Sequence, residues 1–350
     1  MILTKGLARI KMILGAEGLQ GDGRTVGIFS KRREVLIGAA VAWTGFAGAT
    51  EPPRGTKAMI GLTAGLIDVF AEEPFNGNSL AVVEGADALS DAQMRRVAGE
   101  FNQAETTFVL KSARADWRLR SFTASGEEVF GAGHNALGAW LWLAQEGRLG
   151  ELERARTFHQ EIGHDVLPIV LEGRDGVIHG RMRQASLRLL PPLGDPAPLA
   201  RALGLEITDI STTPAPRPAY TGAMHLLVRA RNPAIVDRAA PSHQDLLAVL
   251  RGAGAEGCYL YAHDPSAPET AYARFFNPTV GLWEDAATGT AAGPLAAYLG
   301  REGLLRNNVL VVEQGVKMGR RSLLNVRLNP DPELSGTGVI VLRGSMQTPR

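Results

Sequence analysis

From Leu62 onward the apolar and polar positions fall into periods that name their elements. The short apolar runs 66–70 and 80–83 flank Pro74-Phe-Asn-Gly-Asn78, which predicts two strands joined at a turn. Ser90-Asp-Ala-Gln93 has the Ser/Gln spacing of a capping box, so an amphipathic helix is expected from there to about Phe101. Residues 106–110 and 117–122 read as strands, the second alternating apolar and polar as a half-buried strand does. The stretch from His134 to about Gln145 differs from these. Leu137, Trp140, Leu141, Trp142 and Leu143 leave it no polar face, so this helix must be enclosed rather than surface-lying.

The second half of the chain repeats this order loosely. Strand-like runs occur at 166–171, 177–182, 224–228, 258–261 and 271–276, with surface helices expected at 198–203 and 245–250. A second enclosed helix follows Thr288-Gly289-Thr290, and strands are expected at 309–312, 323–328 and 338–342. The Pro-rich run Pro191-Pro-Leu-Gly-Asp-Pro196 marks the join. The simplest architecture is α+β: two similar halves, each a mostly antiparallel sheet rolled around one buried helix. We divide the chain into an extension (1–61), a first half (62–187) and a second half (188–345).

Composition narrows the function. With 37 Lys plus Arg against 36 Asp plus Glu, the net charge of +1 gives no electrostatic reason to expect nucleic acid. The single Cys258 excludes an internal disulfide and a multi-cysteine zinc site. In the extension, Ser30-Lys-Arg32-Arg33 precedes an uncharged run from Val35 to Ala49, and Ala47-Gly-Ala49 offers a cleavage site. The run is too short for a bilayer, which takes about 20 residues. Two readings stand here. One is a twin-arginine export signal placing the protein in the periplasm. The other is a start-site artefact that leaves it cytoplasmic, and the cytoplasm is the expectation.

The candidate chemistry lies at the two enclosed helices. Gly131-Ala-Gly133-His134-Asn135 opens the first, and Glu284-Asp285-Ala-Ala-Thr288-Gly289-Thr290 opens the second. A helix start presents unpaired N–H groups and partial positive charge, and glycine lets an anion approach the backbone. Taken singly, His134 reads as a capping residue, Asp285 as an acid favoured by the helix dipole, and Glu105 as a solvated turn carboxylate. Taken together, they point to a small anion and proton transfer. Gly131-x-Gly133-x-x-Ala136 also matches a dinucleotide fingerprint formally, but residues 123–130 lack the long apolar strand such a motif follows. His159 and His164, five apart, read as exposed residues rather than metal ligands.

Several spaced strings then agree with one family. Asp68-Val-Phe70, Pro74-Phe-Asn-Gly77-Asn78, Phe101-Asn-Gln-Ala-Glu105-Thr, Gly133-His134, Glu284-Asp285-x-Ala-Thr288-Gly289, Gly293-Pro294 and Glu313-Gln-Gly-x-x-Met-Gly319-Arg320 together resemble the PhzF family, over about 62–342. The resemblance implies the diaminopimelate-epimerase fold, a homodimer, and a cofactor-independent isomerase that moves a proton on a small carboxylate substrate. It implies catalytic roles for Glu105, which lifts and returns the proton, and for His134 and Asp285, which hold the substrate and steer protonation. It implies substrate binding by Asn78, Gly133, Asn135, Gly289 and Thr290, and no metal, organic cofactor, nucleic acid or membrane partner. The chain departs from the family where Asn135-Ala136 replaces Pro-Thr, Thr290 replaces a serine, and Ala286 and Arg321 replace prolines. The helix starts carry no cysteine pair, which argues against a two-thiol racemase. Two other readings are a non-catalytic small-molecule binder and a nicotinamide oxidoreductase, the latter testable by NADH titration.

Overall fold

The structure, a computed structural model, describes residues 59–280 and 282–349. Arg32, Arg33 and the rest of the extension up to residue 58 lie outside the described residues. The chain runs β1 (Met59–Val69), β2 (Asn78–Glu84), α1 (Asp91–Phe101), β3 (Glu105–Leu110), β4 (Trp117–Phe122), β5 (Glu128–Val129), α2 (His134–Gln145), β6 (Arg156–Ile162), β7 (Asp165–Arg174) and β8 (Val177–Arg183). It continues through β9 (Arg188–Leu189), α3 (Ala197–Ala202), β10 (Arg217–Tyr220), β11 (Met224–Ala230), α4 (Pro233–Arg238), α5 (His243–Ala253), β12 (Gly257–His263), β13 (Thr270–Asn277) and β14 (Leu282–Asp285). It ends with α6 (Gly289–Arg301), β15 (Val309–Gln314), β16 (Ser322–Asn329), β17 (Asp331–Gly336) and β18 (Gly338–Pro349). Met59, Ile60 and Gly61, which the sequence groups with the extension, already belong to β1.

Hydrogen bonding arranges the strands in two matching series. The first is β1-β2-β3-β4-β6-β7-β8. The second is β10-β11-β12-β13-β15-β16-β17. Pairs are parallel where helices intervene: β2/β3 across α1, β4/β6 across α2, β11/β12 across α4 and α5, and β13/β15 across α6. The other steps are antiparallel. β8 and β17 pair antiparallel and join the series. Each series then lends its next strand to the other, since β9 pairs with β10 and β18 with β1. Residues 338–345, grouped by sequence with the second half, thus hydrogen-bond to the first series.

Burial explains why the strands read as they do. One continuous core encloses α2 and α6 together, from Leu137, Trp140 and Trp142 to Leu295 and Leu299. Outside it, α1 covers Leu62, Ala64, Val83 and Phe108, while α3, α4 and α5 cover Leu226, Val228, Cys258 and Leu260. Strands β2, β11 and β12 are therefore covered on both faces and carry almost continuous apolar runs. As expected, every residue of α2 from His134 to Ala144 is buried. The Ser90/Gln93 capping box forms at the start of α1. His159 and His164 are exposed, and β5, the strand before Gly131, is two residues long, so a dinucleotide fingerprint has no strand to follow. Among the described residues no helix is long and apolar enough to cross a membrane.

One tight approach between sheet and helix is at Gly65 in β1. A Cβ there would lie 2.1 Å from the Leu342 carbonyl oxygen and 2.4 Å from the Trp142 ring. Backbone and a buried indole cannot both move aside, so Gly65→Ala should lose about 3 kcal/mol of stability, at the high end for overpacking. Denaturant unfolding would measure this, and a midpoint equal to the native protein's would show that β1 and α2 are not packed as described.

Candidate active site

Three ionisable groups are brought together by three different elements. Glu105 is the first residue of β3, His134 the first of α2, and Asp285 the last of β14. His134 Nε2 lies 3.4 Å from Glu105 Oε2, with the side chains 9% and 19% exposed respectively. Neither of these two atoms has a hydrogen-bond partner in the protein. Asp285 lies close enough that its charge acts on His134, and that of Glu105 on Asp285.

Their environments push them apart in proton affinity. Burial raises the Glu105 carboxyl to about 7. Burial holds His134 below the usual histidine range, partly offset by the attraction of Asp285. Asp285 is raised by burial first, and further by Glu105, while His134 and hydrogen bonds from Thr288 and Asn78 oppose the rise.

Asp285 is held from every side. Asn78 Nδ2 donates to its Oδ1 at 2.7 Å, and Thr288 Oγ1 donates to its Oδ2 at 2.6 Å. The Gln314 amide, fully buried, donates to the Asp285 carbonyl at 2.8 Å and to Thr288 Oγ1 at 3.1 Å. Gln314 Oε1 accepts from Tyr259 OH and from the Thr288 N–H. The neighbouring Glu284 is held bidentately by one edge of Arg274, Nε and Nη2 each donating to a carboxylate oxygen at 2.8 Å. Arg320 secures the loop that carries Asn78, donating to the Asp68 carboxylate at 2.6 Å and to the carbonyls of Asn76 and Gly77, each at 2.9 Å.

The remaining candidates divide. Asn78 reaches Asp285 and also donates to the Ala287 carbonyl at 3.0 Å, so its amide nitrogen is spent on the second helix start. Asn135 turns back onto its own loop, accepting from the Gly133 N–H at 2.8 Å and donating to Gly131 O and Ser121 Oγ. The Gly133 N–H, expected to be available to an anion, is thereby engaged. Gly289 opens α6, and its carbonyl accepts from Gln184 at 2.9 Å. Thr290 Oγ1 lies 3.1 Å from His225 Nε2. The sequence reading gave no role to Thr288, Gln314, Tyr259, Arg274, Arg320 or His225. Gln314 and Arg320 stood inside a quoted string, but neither period nor spacing shows that a buried amide in a strand will face a helix start. Among the described residues no three His, Cys, Asp or Glu side chains are grouped as metal ligands. The cavity of about 520 Å³ lined by Ile207, Ser211, Arg229 and Arg231 involves none of these groups.

Comparison with known proteins identifies the family. Residues 67–344 match the PhzC-PhzF family of phenazine biosynthesis-like proteins. The trans-2,3-dihydro-3-hydroxyanthranilate isomerase of Pseudomonas aeruginosa is 33% identical over 293 residues, covering 80% of this chain and 97% of the relative. A PhzF-family phenazine biosynthesis protein of Bacillus anthracis superposes with a TM-score of 0.74 at 26% identity, covering 82% of this chain and 99% of that one. A predicted epimerase from Pseudomonas aeruginosa superposes with a TM-score of 0.70 at 30% identity, covering 81% and 99%. Fold and motifs therefore meet in one conclusion: this chain belongs to the PhzF family of isomerases.

Proposed function

We propose that this protein is a cofactor-independent isomerase that moves a proton between two carbons of a small carboxylate substrate. One observation carries the reading: a buried carboxyl with its proton affinity near neutrality, Glu105, faces His134 at 3.4 Å, and the facing atoms of both are unpartnered. A structural ion pair would have closed that gap with a hydrogen bond. Here two buried polar atoms are left for a third party, which is costly unless something binds between them. The Pseudomonas relative is named for trans-2,3-dihydro-3-hydroxyanthranilate, itself a carboxylate.

In this reading Glu105, ionised, takes a proton from one carbon, and the electron pair shifts along the conjugated system. The same carboxyl, now neutral, returns the proton to another carbon. His134 hydrogen-bonds the substrate near the carbon that changes. Asp285, fixed by Asn78 and Thr288, orients the substrate from the opposite helix start. The free N–H groups of the first turn of α6 and the Thr290 hydroxyl receive the substrate carboxylate, supported by the partial charge of the helix end. Gly289 shapes that anion site from the backbone, while Gly133 and Asn135 close the loop that leads into His134. Homodimeric assembly and a cytoplasmic location belong to the same reading and rest on the family resemblance.

Glu105→Gln keeps size and shape but cannot accept a proton. We expect at least a 100-fold loss of solvent-deuterium incorporation into a carboxylate that the native protein exchanges. In the native enzyme kcat/KM should fall as pH drops through about 7, because the working form of Glu105 is the ionised one. A variant exchanging at near-native rate would remove Glu105 from the mechanism.

The same group has a stability signature. Glu105 binds its proton more tightly folded, at about 7, than at its ordinary value of 4.5. Below the lower value it is neutral in both states and burial costs no charge. Stability is lost as pH rises toward the higher value, by about 3 kcal/mol in all at ~1.4 kcal/mol per pH unit. Glu105→Gln removes this loss, so its stability relative to native should rise by that amount between pH 4.5 and 7 and then level off. Denaturant unfolding at pH 5 and pH 8 checks it, and an equal difference at both pH values would contradict the burial of the charge.

A further inference from the structure

The second half contains a buried histidine that the proposed mechanism does not use. His225, near the start of β11, is 3% exposed. Its Nε2 lies 3.1 Å from Thr290 Oγ1, while its Nδ1 is buried with no hydrogen-bond partner. The ring stands edge-on to Phe275, centroids 4.9 Å apart at 81°. Opposite it in the parallel register is Gly257, where a Cβ would come within 3.3 Å of Nδ1 and 2.3 Å of the Phe275 ring. Only glycine there leaves the imidazole its place.

The matching of the two series gives this position meaning. The first registered pair of β2/β3 is Leu80 with Glu105, and that of β11/β12 is His225 with Gly257. Where the first half carries its reactive carboxylate, the second carries a glycine and fills the space from the neighbouring strand with an imidazole. That imidazole reaches the second residue of α6, one position further along than His134 occupies in α2.

We propose that His225 is a positioning residue that donates its Nε2–H to Thr290 and so commits the Thr290 hydroxyl proton to the carboxylate of the substrate. The inference rests on the functional reading above for its ligand, and on geometry for the rest. An imidazole with one buried, unpartnered nitrogen keeps the proton on the other, because an orphaned N–H is rarer and costlier than an orphaned acceptor. Nδ1 is the orphan, so Nε2 donates. Thr290 Oγ1 then accepts, and its own proton is free for an anion beside the helix start. Burial pushes His225 down to about 3, so the arrangement holds across the working pH range.

The test has two arms on the full chain. The first needs no substrate: 15N-histidine spectra should show His225 as the neutral Nε2–H tautomer from pH 5 to 9, with its Nε2 signal shifted in Thr290→Val. An Nδ1–H tautomer, or a signal blind to Thr290→Val, overturns the proposal. The second uses a carboxylate that the native enzyme exchanges with solvent deuterium. His225→Leu should raise its KM about tenfold, the scale of one charge-assisted hydrogen bond, with kcat and the acid limb near pH 7 unchanged. His225→Gln, which keeps a donor, should restore most of the loss, and in a Thr290→Val background His225→Leu should cost nothing further. A fall in kcat instead of a rise in KM, or full additivity with Thr290→Val, marks a packing role and sinks the proposal. Should His225→Leu fail to fold, the tautomer and the Gln variant still decide it. If no carboxylate exchanges at all, the functional reading fails while the tautomer result stands by itself.

Discussion

Two helices with no polar face set the terms for this fold. α2 is buried from His134 to Ala144 and α6 along most of its length, so each must be wrapped on nearly all sides, and no single flat sheet can do that. The chain meets the demand by rolling a strand series around each and joining the series at β8 and β17. Exchange of the end strands, β9 to β10 and β18 to β1, ties each roll to the other. The helix flanks are enclosed by side chains, but their first turns cannot be sealed in the same way. Those turns carry N–H groups that want polar partners, and the loops that supply them come from both halves.

The two helix starts meet this need unequally. At α6 the groups around Asp285 are paired: Asp285 accepts from Asn78 and Thr288, and Gln314 binds Thr288, Tyr259 and the Asp285 backbone. At α2 the loop is closed by Asn135, yet His134 Nε2 and Glu105 Oε2 face each other unpartnered. A paired network is rigid, whereas the Glu105–His134 pair leaves two buried polar atoms without a partner. Arg320 and Arg274 hold the rigid side from further out, through the Asn78 loop and through Glu284.

Legibility in the sequence followed the same division. Elements with a clear period were read nearly to the residue: β4, α2 and the capping box of α1 are where the pattern placed them. β6 was missed because its core-facing positions include Gln160, which reads as polar but is fully buried, bonded to the Trp140 indole at 3.0 Å. β17 was missed because Asp-Pro-Glu-Leu-Ser-Gly has the composition of a turn, although Pro332, Leu334 and Gly336 alternate inward. Glu105, His134 and Asp285 were legible as a set through spaced strings and helix starts. The partners that hold Asp285 were not, since Asn78 and Gln314 lie 207 and 29 residues from it and local spacing carries no trace of such contacts.

The inequality of the halves also bears on how such a site persists. A pseudo-symmetric fold offers two equivalent places at which a strand start faces a helix start, and a carboxylate in both would bury two poorly compensated charges. Here one place holds Glu105 and bears the cost of its burial, while the other holds Gly257 and a neutral imidazole. The second half thus contributes hydrogen-bond donors and the Asp285 carboxyl, which burial raises while hydrogen bonds from Thr288 and Asn78 oppose the rise. The wall around Asp285 is kept in shape by the amides of Asn78 and Gln314, the Thr288 hydroxyl and the guanidinium groups of Arg274 and Arg320.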